Sequence, residues 1–242
     1  MRYFLKFAYK GTHYHGWQVQ PNDVSVQSVM TEKISMVLRS PVELVGAGRT
    51  DAGVHARCMY AHFDIDKEII DPPLIVNKLN ALLPPDIAIY DLYRVDDDMH
   101  ARFSAKYRTY RYYVSTRKSP FNHEFAARFT FPLDVEKMNE AAGKLLEYTD
   151  FTSFSKLHTD AKTNDCDVSF AQWEKHDDCL VFTITANRFL RNMVRAVVGT
   201  LVEVGKGKLT VEQFCEIIEK KDRCAAGMSV PAQGLFLEDV GY

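Results

Sequence analysis

The stretch Val45-Gly46-Ala47-Gly48-Arg49-Thr50-Asp51-Ala52-Gly53-Val54-His55-Ala56 sets one carboxylate among three glycines and beside an arginine. The glycines at 46, 48 and 53 are expected to take backbone angles closed to other residues, so the run reads as a tight loop that can approach a ligand closely. Val42 to Val45 before it and Tyr60 to Ile65 after it are predicted strands, which would hang the loop on a rigid frame. No Lys-Ser or Lys-Thr follows the second glycine, and no glycine stands three positions beyond Gly48, so neither nucleotide-binding fingerprint is met. Residue types alone favour the plainer role for Asp51, capping a turn, because Asp beside Gly is a common turn former.

Outward from the loop, Arg2 to Tyr9 alternates with Tyr3, Leu5 and Phe7 on one face, a strand by its period of two. Ser25 to Leu38 carries Val26, Val29, Met30, Ile34, Val37 and Leu38 at helical spacing, with Ser25 or Asn22 available as a cap. Pro72-Pro73 opens a second helix, Leu74 to Leu83, and Pro84-Pro85 closes it before a strand over Ile87 to Val95. The first hundred residues therefore read β-α-β-β-α-β, the split arrangement of a ferredoxin-like or RNA-recognition-type domain. In the second half, Tyr107 to Ser115 alternates strictly, with Tyr110, Tyr112 and Val114 on one side and Arg111 and Tyr113 on the other. A helix over Leu133 to Leu146 follows, then a hairpin of Cys166 to His176 and Cys179 to Ala186 across Asp177-Asp178. A long helix over Arg188 to Val204, a last helix from Thr210 to Lys220 and a short strand over Leu235 to Glu238 complete the pattern. The expected class is α+β, in two domains of residues 1–104 and 105–242 with mainly antiparallel sheets.

With 46% apolar and 26% charged residues in 242, the chain has an ordinary globular composition. Charge interrupts the apolar start, Met1 to Phe7, and no later run is long enough to span a bilayer, so a cytoplasmic protein without a membrane partner is expected. Five cysteines, widely spaced and without a Cys-x-x-Cys pair, argue against a disulfide framework or a zinc site. His13 and His15 have the spacing of a metal pair but no third ligand nearby, so no metal is predicted. A net charge of −2 does not announce a nucleic-acid binder, yet Ala101 to Lys118 holds six basic residues and no acidic one, interleaved with Tyr107, Tyr110, Tyr112 and Tyr113.

Two further groups stand out. On the predicted helix from Arg188, the arginines at 188 and 191 read as solvated or phosphate-facing, whereas Arg195 lies among Met193, Val194 and Val198. A buried arginine would need a carboxylate partner, and residue types leave the pairing undecided. The tyrosines offer either strand-face packing or a surface on which a base could stack.

Gly48-Arg49-Thr50-Asp51-Ala52-Gly53-Val54-His55-Ala56, nine consecutive residues, resembles the signature of the TruA family of tRNA pseudouridine synthases. Ala101-Arg102-Phe103-Ser104-Ala105 with Arg108-Thr109-Tyr110-Arg111-Tyr112, the stretch around Arg195, and Pro231-Ala232-Gln233-Gly234-Leu235-Phe236-Leu237 resemble three further blocks of that family. The resemblance implies the pseudouridine synthase fold and a cofactor-free isomerisation of uridines 38, 39 and 40 in the anticodon stem-loop of tRNA by a homodimer. It also implies Asp51 as the catalytic carboxylate, Arg195 as its partner, Tyr110 as the base-contacting ring, Arg49 beside the substrate and Leu235 as a pocket wall. Arg102, Lys106, Arg108, Arg111, Arg188 and Arg191 are the expected RNA contacts, and no metal or cofactor is expected. Cys58-Met59 stand where the family usually shows Gly-Gln, and Thr159 to Cys166 holds Lys162, Asn164 and Asp165 where relatives often place an arginine, so no contact is assigned at either place. Two rivals remain: a non-catalytic RNA-binding module, which has no use for Asp51, and a small-molecule hydrolase using Asp51 with His55.

Overall fold

The computed structural model describes residues 1–156 and 163–242, so Lys162 lies outside the described residues. The chain forms two compact units, residues 1–106 with 236–242, and residues 107–235.

Unit one starts with β1 (Arg2–Tyr9), α1 (Val26–Leu38), β2 (Val45–Gly46), β3 (His55–Asp64), α2 (Pro72–Leu82) and β4 (Ile87–Val95), the predicted β-α-β-β-α-β order. β1 lies between β4 and β3, antiparallel to both, and the two-residue β2 pairs antiparallel with β3. Each helix has a local reason to begin where it does. Ser25 Oγ accepts the Ser28 N–H at 3.1 Å while Ser28 Oγ accepts the Ser25 N–H at 3.2 Å, a reciprocal cap for α1. Asp71 Oδ1 accepts the Leu74 N–H at 3.0 Å at the start of α2, whose first positions are Pro72 and Pro73. The Asn80 amide then locks α2 to β4, donating to Ile89 O and accepting the Ile89 N–H, both at 2.8 Å. Tyr3, Leu5, Phe7 and Tyr9 are buried on one side of β1, where Phe7 stacks on Trp17 at 5.3 Å. On the other side Phe4 meets the rings of Tyr93 and Tyr242 at 6.1 and 5.2 Å.

Unit two contains β5 (Tyr107–Ser115), β6 (Ala127–Arg128), α3 (Val135–Lys144), β7 (Val168–His176), β8 (Cys179–Ala186), α4 (Met193–Gly205) and α5 (Val211–Glu219). Its sheet runs β5-β8-β7, antiparallel throughout, and β6 adds a short parallel pairing to β5. An asparagine again ties helix to strand: Asn139 accepts the Trp173 N–H at 2.7 Å and donates to Trp173 O at 3.0 Å. Thr210 caps α5 reciprocally with Gln213. The last strand, β9 (Leu235–Gly241), enters unit one, where Phe236 and Leu237 run parallel to His55 and Ala56 of β3.

Several boundaries differ from the sequence reading. β3 begins at His55 rather than Tyr60, because its first residues pair with β9 and with Tyr9 of β1. The strand before the loop shrinks to Val45–Gly46. The helix expected from Arg188 begins only at Met193, because Asn192 sits in the left-handed region at φ 67° and breaks the helical path. Arg188 and Arg191 therefore lie on a non-helical approach, with Arg191 O accepting the Lys156 N–H at 3.0 Å. No helix among the described residues is long and apolar enough to cross a membrane.

Candidate active site

In unit one the Asp51 loop is clamped by the segment that follows β1. Trp17 N–H donates to Thr50 O at 3.3 Å, Gly53 N–H to Tyr14 O at 3.3 Å, and Gly11 N–H to His55 Nδ1 at 3.0 Å. Thr50 turns inward, its hydroxyl 2.8 Å from the Tyr9 hydroxyl, while Arg49 is exposed and Asp51 partly buried. The loop closes on itself through Val54 N–H to Asp51 O at 3.1 Å. Asp51 is thus presented from a backbone that its neighbours hold on both sides, which is what a reacting carboxylate needs.

The glycines do different work from that expected. Gly53 alone of the three has positive φ, at 78°. A Cβ on Gly46 would lie 2.5 Å from the Trp17 indole, so that glycine makes room for a ring, and a Cβ on Gly48 would meet nothing within 4 Å. The loop also depends on a glycine outside it: Gly16 has φ 85°, and its Cβ would stand 2.3 Å from Thr50 O. His55 is 1% exposed and stacks on Phe236 at 4.6 Å. With Nδ1 accepting a backbone N–H from a buried position, it serves as a tie between loop and strand, a role that the hydrolase reading does not need.

In unit two, Arg195 occupies the first turn of α4, where the helix dipole disfavours a cation, so helix stability does not explain it. The side chain is partly exposed rather than buried as its apolar neighbours in sequence suggested. Its Nε donates to Val230 O at 2.8 Å, and Val230 N–H returns to Arg195 O at 3.2 Å. The strap carrying Val230 is braced in turn: Asn192 Nδ2 and Arg223 donate to Ser229 Oγ at 2.6 and 3.0 Å. A Cβ on Gly199 of α4 would lie 1.9 Å from Met228 O, so strap and helix touch backbone to backbone.

Tyr110 is partly exposed on β5 and meets Phe189 edge-to-face at 5.1 Å. Its neighbour Tyr112 is fully buried, donates to Pro231 O at 2.8 Å, and has its phenol pushed well above the usual range by burial, with the Arg195 charge pulling the other way. Leu235 is buried at the end of the turn over Ala232–Gly234.

The expected RNA-contacting side chains divide between the units, Arg102 and Lys106 in the first and Arg108, Arg111, Arg188 and Arg191 in the second. Arg102, Lys106, Arg111 and Arg191 are exposed. Arg108 donates to Asn187 O at 2.8 Å and Arg188 to Thr163 Oγ1 at 3.3 Å, so both also tie down the approach to α4. Sequence reasoning gave no role to Trp17, Ser229 or Phe103, although all three stand in stretches that resemble the family. All five cysteines are free thiols, and no group of three His, Cys, Asp or Glu among the described residues is arranged to hold a metal ion.

The chain matches the sequence profile of a family described as tRNA pseudouridine synthase over residues 6–104 and 141–242. It is 58% identical, over the whole chain and 90% of the relative, to tRNA pseudouridine synthase A of Bacteroides thetaiotaomicron. It is 56% identical to the same-named protein of Bacteroides fragilis, over the whole chain and 96% of that relative, and 52% identical to that of Porphyromonas gingivalis, over the whole chain and 97%. A match covering both halves, including the clamped aspartate loop and the helix that begins at Met193, places this chain in the tRNA pseudouridine synthase family.

Proposed function

We propose that this protein isomerises uridines 38, 39 and 40 of the tRNA anticodon stem-loop to pseudouridine, with Asp51 as the catalytic carboxylate. The observation that carries this reading is the Asp51 loop itself, a carboxylate on a backbone fixed from both sides in a chain otherwise 58% identical to a tRNA pseudouridine synthase A.

The reaction breaks the bond from N1 to the ribose carbon, turns the uracil, and joins C5 to that carbon. C5 gives up its proton and N1 gains one, so the atoms balance with nothing oxidised and no group donated. An ionised carboxylate beside the nucleoside serves as nucleophile or as base. Arg195 is assigned as the positively charged partner of the Asp51 carboxylate. The target base must leave the RNA stack to be reached, and Tyr110 is assigned as the ring that receives it. Leu235 lines the apolar side of the pocket, and Arg49 lies beside the substrate. Arg102, Lys106, Arg108, Arg111, Arg188 and Arg191 contact the backbone of the RNA, giving position rather than sequence. A homodimer working in the cytoplasm, without cofactor or metal, completes the proposal.

The test is tritium release from an unmodified tRNA transcript labelled at uridine C5, with the modified positions mapped. Asp51→Asn is expected to lose at least about 10⁴-fold in rate while still binding tRNA. Binding by both proteins with no release from either would leave a non-catalytic RNA-binding module.

A further inference from the structure

Phe103 is 75% exposed, yet it sits on a turn that the rest of unit one holds rigidly. His100 N–H donates to Ser104 Oγ and Ser104 N–H to His100 O, both at 2.9 Å, closing the turn over Met99–Ser104. Inside it, His100 Nδ1 accepts the N–H groups of Arg102 and Phe103 at 3.1 and 3.3 Å. The turn is also anchored below. Ala101 is fully buried, donates its N–H to His62 Nδ1 at 3.1 Å and accepts the Tyr242 hydroxyl at 2.7 Å. Arg2 donates to Met99 O at 3.0 Å, so β1, β3 and the C-terminus all hold this turn.

None of these ties uses the Phe103 ring. Its centroid lies 4.4 Å from that of His100, with the Arg102 guanidinium over it at 5.5 Å, and its remaining surface faces solvent. A large apolar ring left in water on a fixed support contributes little to folding. Exposed Arg102 beside it and exposed Lys106 three residues further on supply positive charge. Asp96, Asp97 and Asp98, exposed before the turn, would repel phosphate on that side, with Asp97 also accepting the Arg2 backbone N–H at 3.1 Å. A flat apolar face with a neighbouring guanidinium is how proteins hold an unpaired base and the phosphate next to it.

Resting on the function proposed above, we infer that Phe103 is a stacking platform for an unstacked base of the RNA substrate, separate from Tyr110, with Arg102 contacting the adjoining phosphate. The turn is built rigid so that the ring offers its face without an ordering cost on binding.

The experiment compares wild type, Phe103→Ala and Phe103→Trp for equilibrium binding to an unmodified tRNA transcript. Phe103→Ala is expected to weaken binding about tenfold with its thermal midpoint unchanged. Phe103→Trp is expected to keep wild-type affinity, its emission quenched by added RNA, a signal readable because Trp17 and Trp173 are only 1% and 2% exposed. Equal affinity in Phe103→Ala, or emission that RNA leaves unmoved, overturns the inference. A drop in sedimentation coefficient for Phe103→Ala with unchanged RNA affinity also overturns it, by assigning the ring to a contact between copies. Wild type that binds while Phe103→Ala is indifferent sinks only this inference; wild type that fails to bind tRNA sinks the functional reading with it.

Discussion

The Asp51 loop and the start of α4 are both held rigid, but by opposite means. The loop is fixed by backbone pressed against backbone, with Gly16 against Thr50, and by a glycine that makes room for the Trp17 ring. Arg195 is fixed by a chain of polar side chains, Asn192 and Arg223 onto Ser229, and then by Val230. The first kind of site fails when an atom is added, since overpacking has nowhere to go. The second fails when an atom is removed, because partners are left without their hydrogen bond.

The largest expected effect follows from the tighter region. Gly16→Ala adds a Cβ 2.3 Å from Thr50 O at a residue with φ 85°, and should destabilise the protein by about 2–5 kcal/mol, read from urea midpoints. If its stability is unchanged, the loop is not clamped as described.

Acid acts next, on the turn beneath Phe103. His62 is held neutral by burial, which together with the Arg2 and His100 charges, and against Asp64, lowers its pKa from 6.5 to about 4. Burial also lowers His100, reinforced by Arg2 and Arg102. The unfolded chain then binds protons that the folded one refuses, so stability is full above about pH 6.5 and falls as pH drops toward 4. The His62 slope is roughly 1.4 kcal/mol per pH unit between those values. His62→Asn, which keeps an acceptor but cannot titrate, should flatten the slope; an unchanged slope would assign the acid sensitivity to other groups.

Ser229→Ala tests the polar region and should cost about 1–2 kcal/mol. Because the strap holds Arg195, the rate of tritium release should fall further than tRNA affinity does. Equal stability with an unchanged rate would mean that Val230 alone positions the guanidinium. The smallest effect is expected at Gly48→Ala, within about 0.5 kcal/mol of wild type, since nothing lies near its Cβ.

The candidate residues were legible from the chain because the signals that mark them are short. Asp51 stands in nine consecutive residues that resemble a family signature, and Tyr110 was chosen by resemblance to a second block, since alternation marked only the strand that carries it. The glycines of the loop were misread for a physical reason: a sequence shows that a side chain is missing, not which distant atom fills its place. Gly46 looked like a torsional need and answers to Trp17, a residue 29 positions earlier. Phe103 was passed over because exposure of a phenylalanine cannot be read from its neighbours; it depends on what the fold leaves uncovered.

By itself, the amino-acid sequence determined what repeats locally: the order β-α-β-β-α-β, the start of the last helix at Thr210, the α+β class and the carboxylate on its loop. These follow from side-chain periods of two and 3.6 and from capping bonds within a few residues. Tertiary structure alone decided where β3 begins and that the final strand runs parallel to it. Those outcomes rest on pairing and packing between residues far apart in the chain, whose free energy exists only once both partners have been brought together.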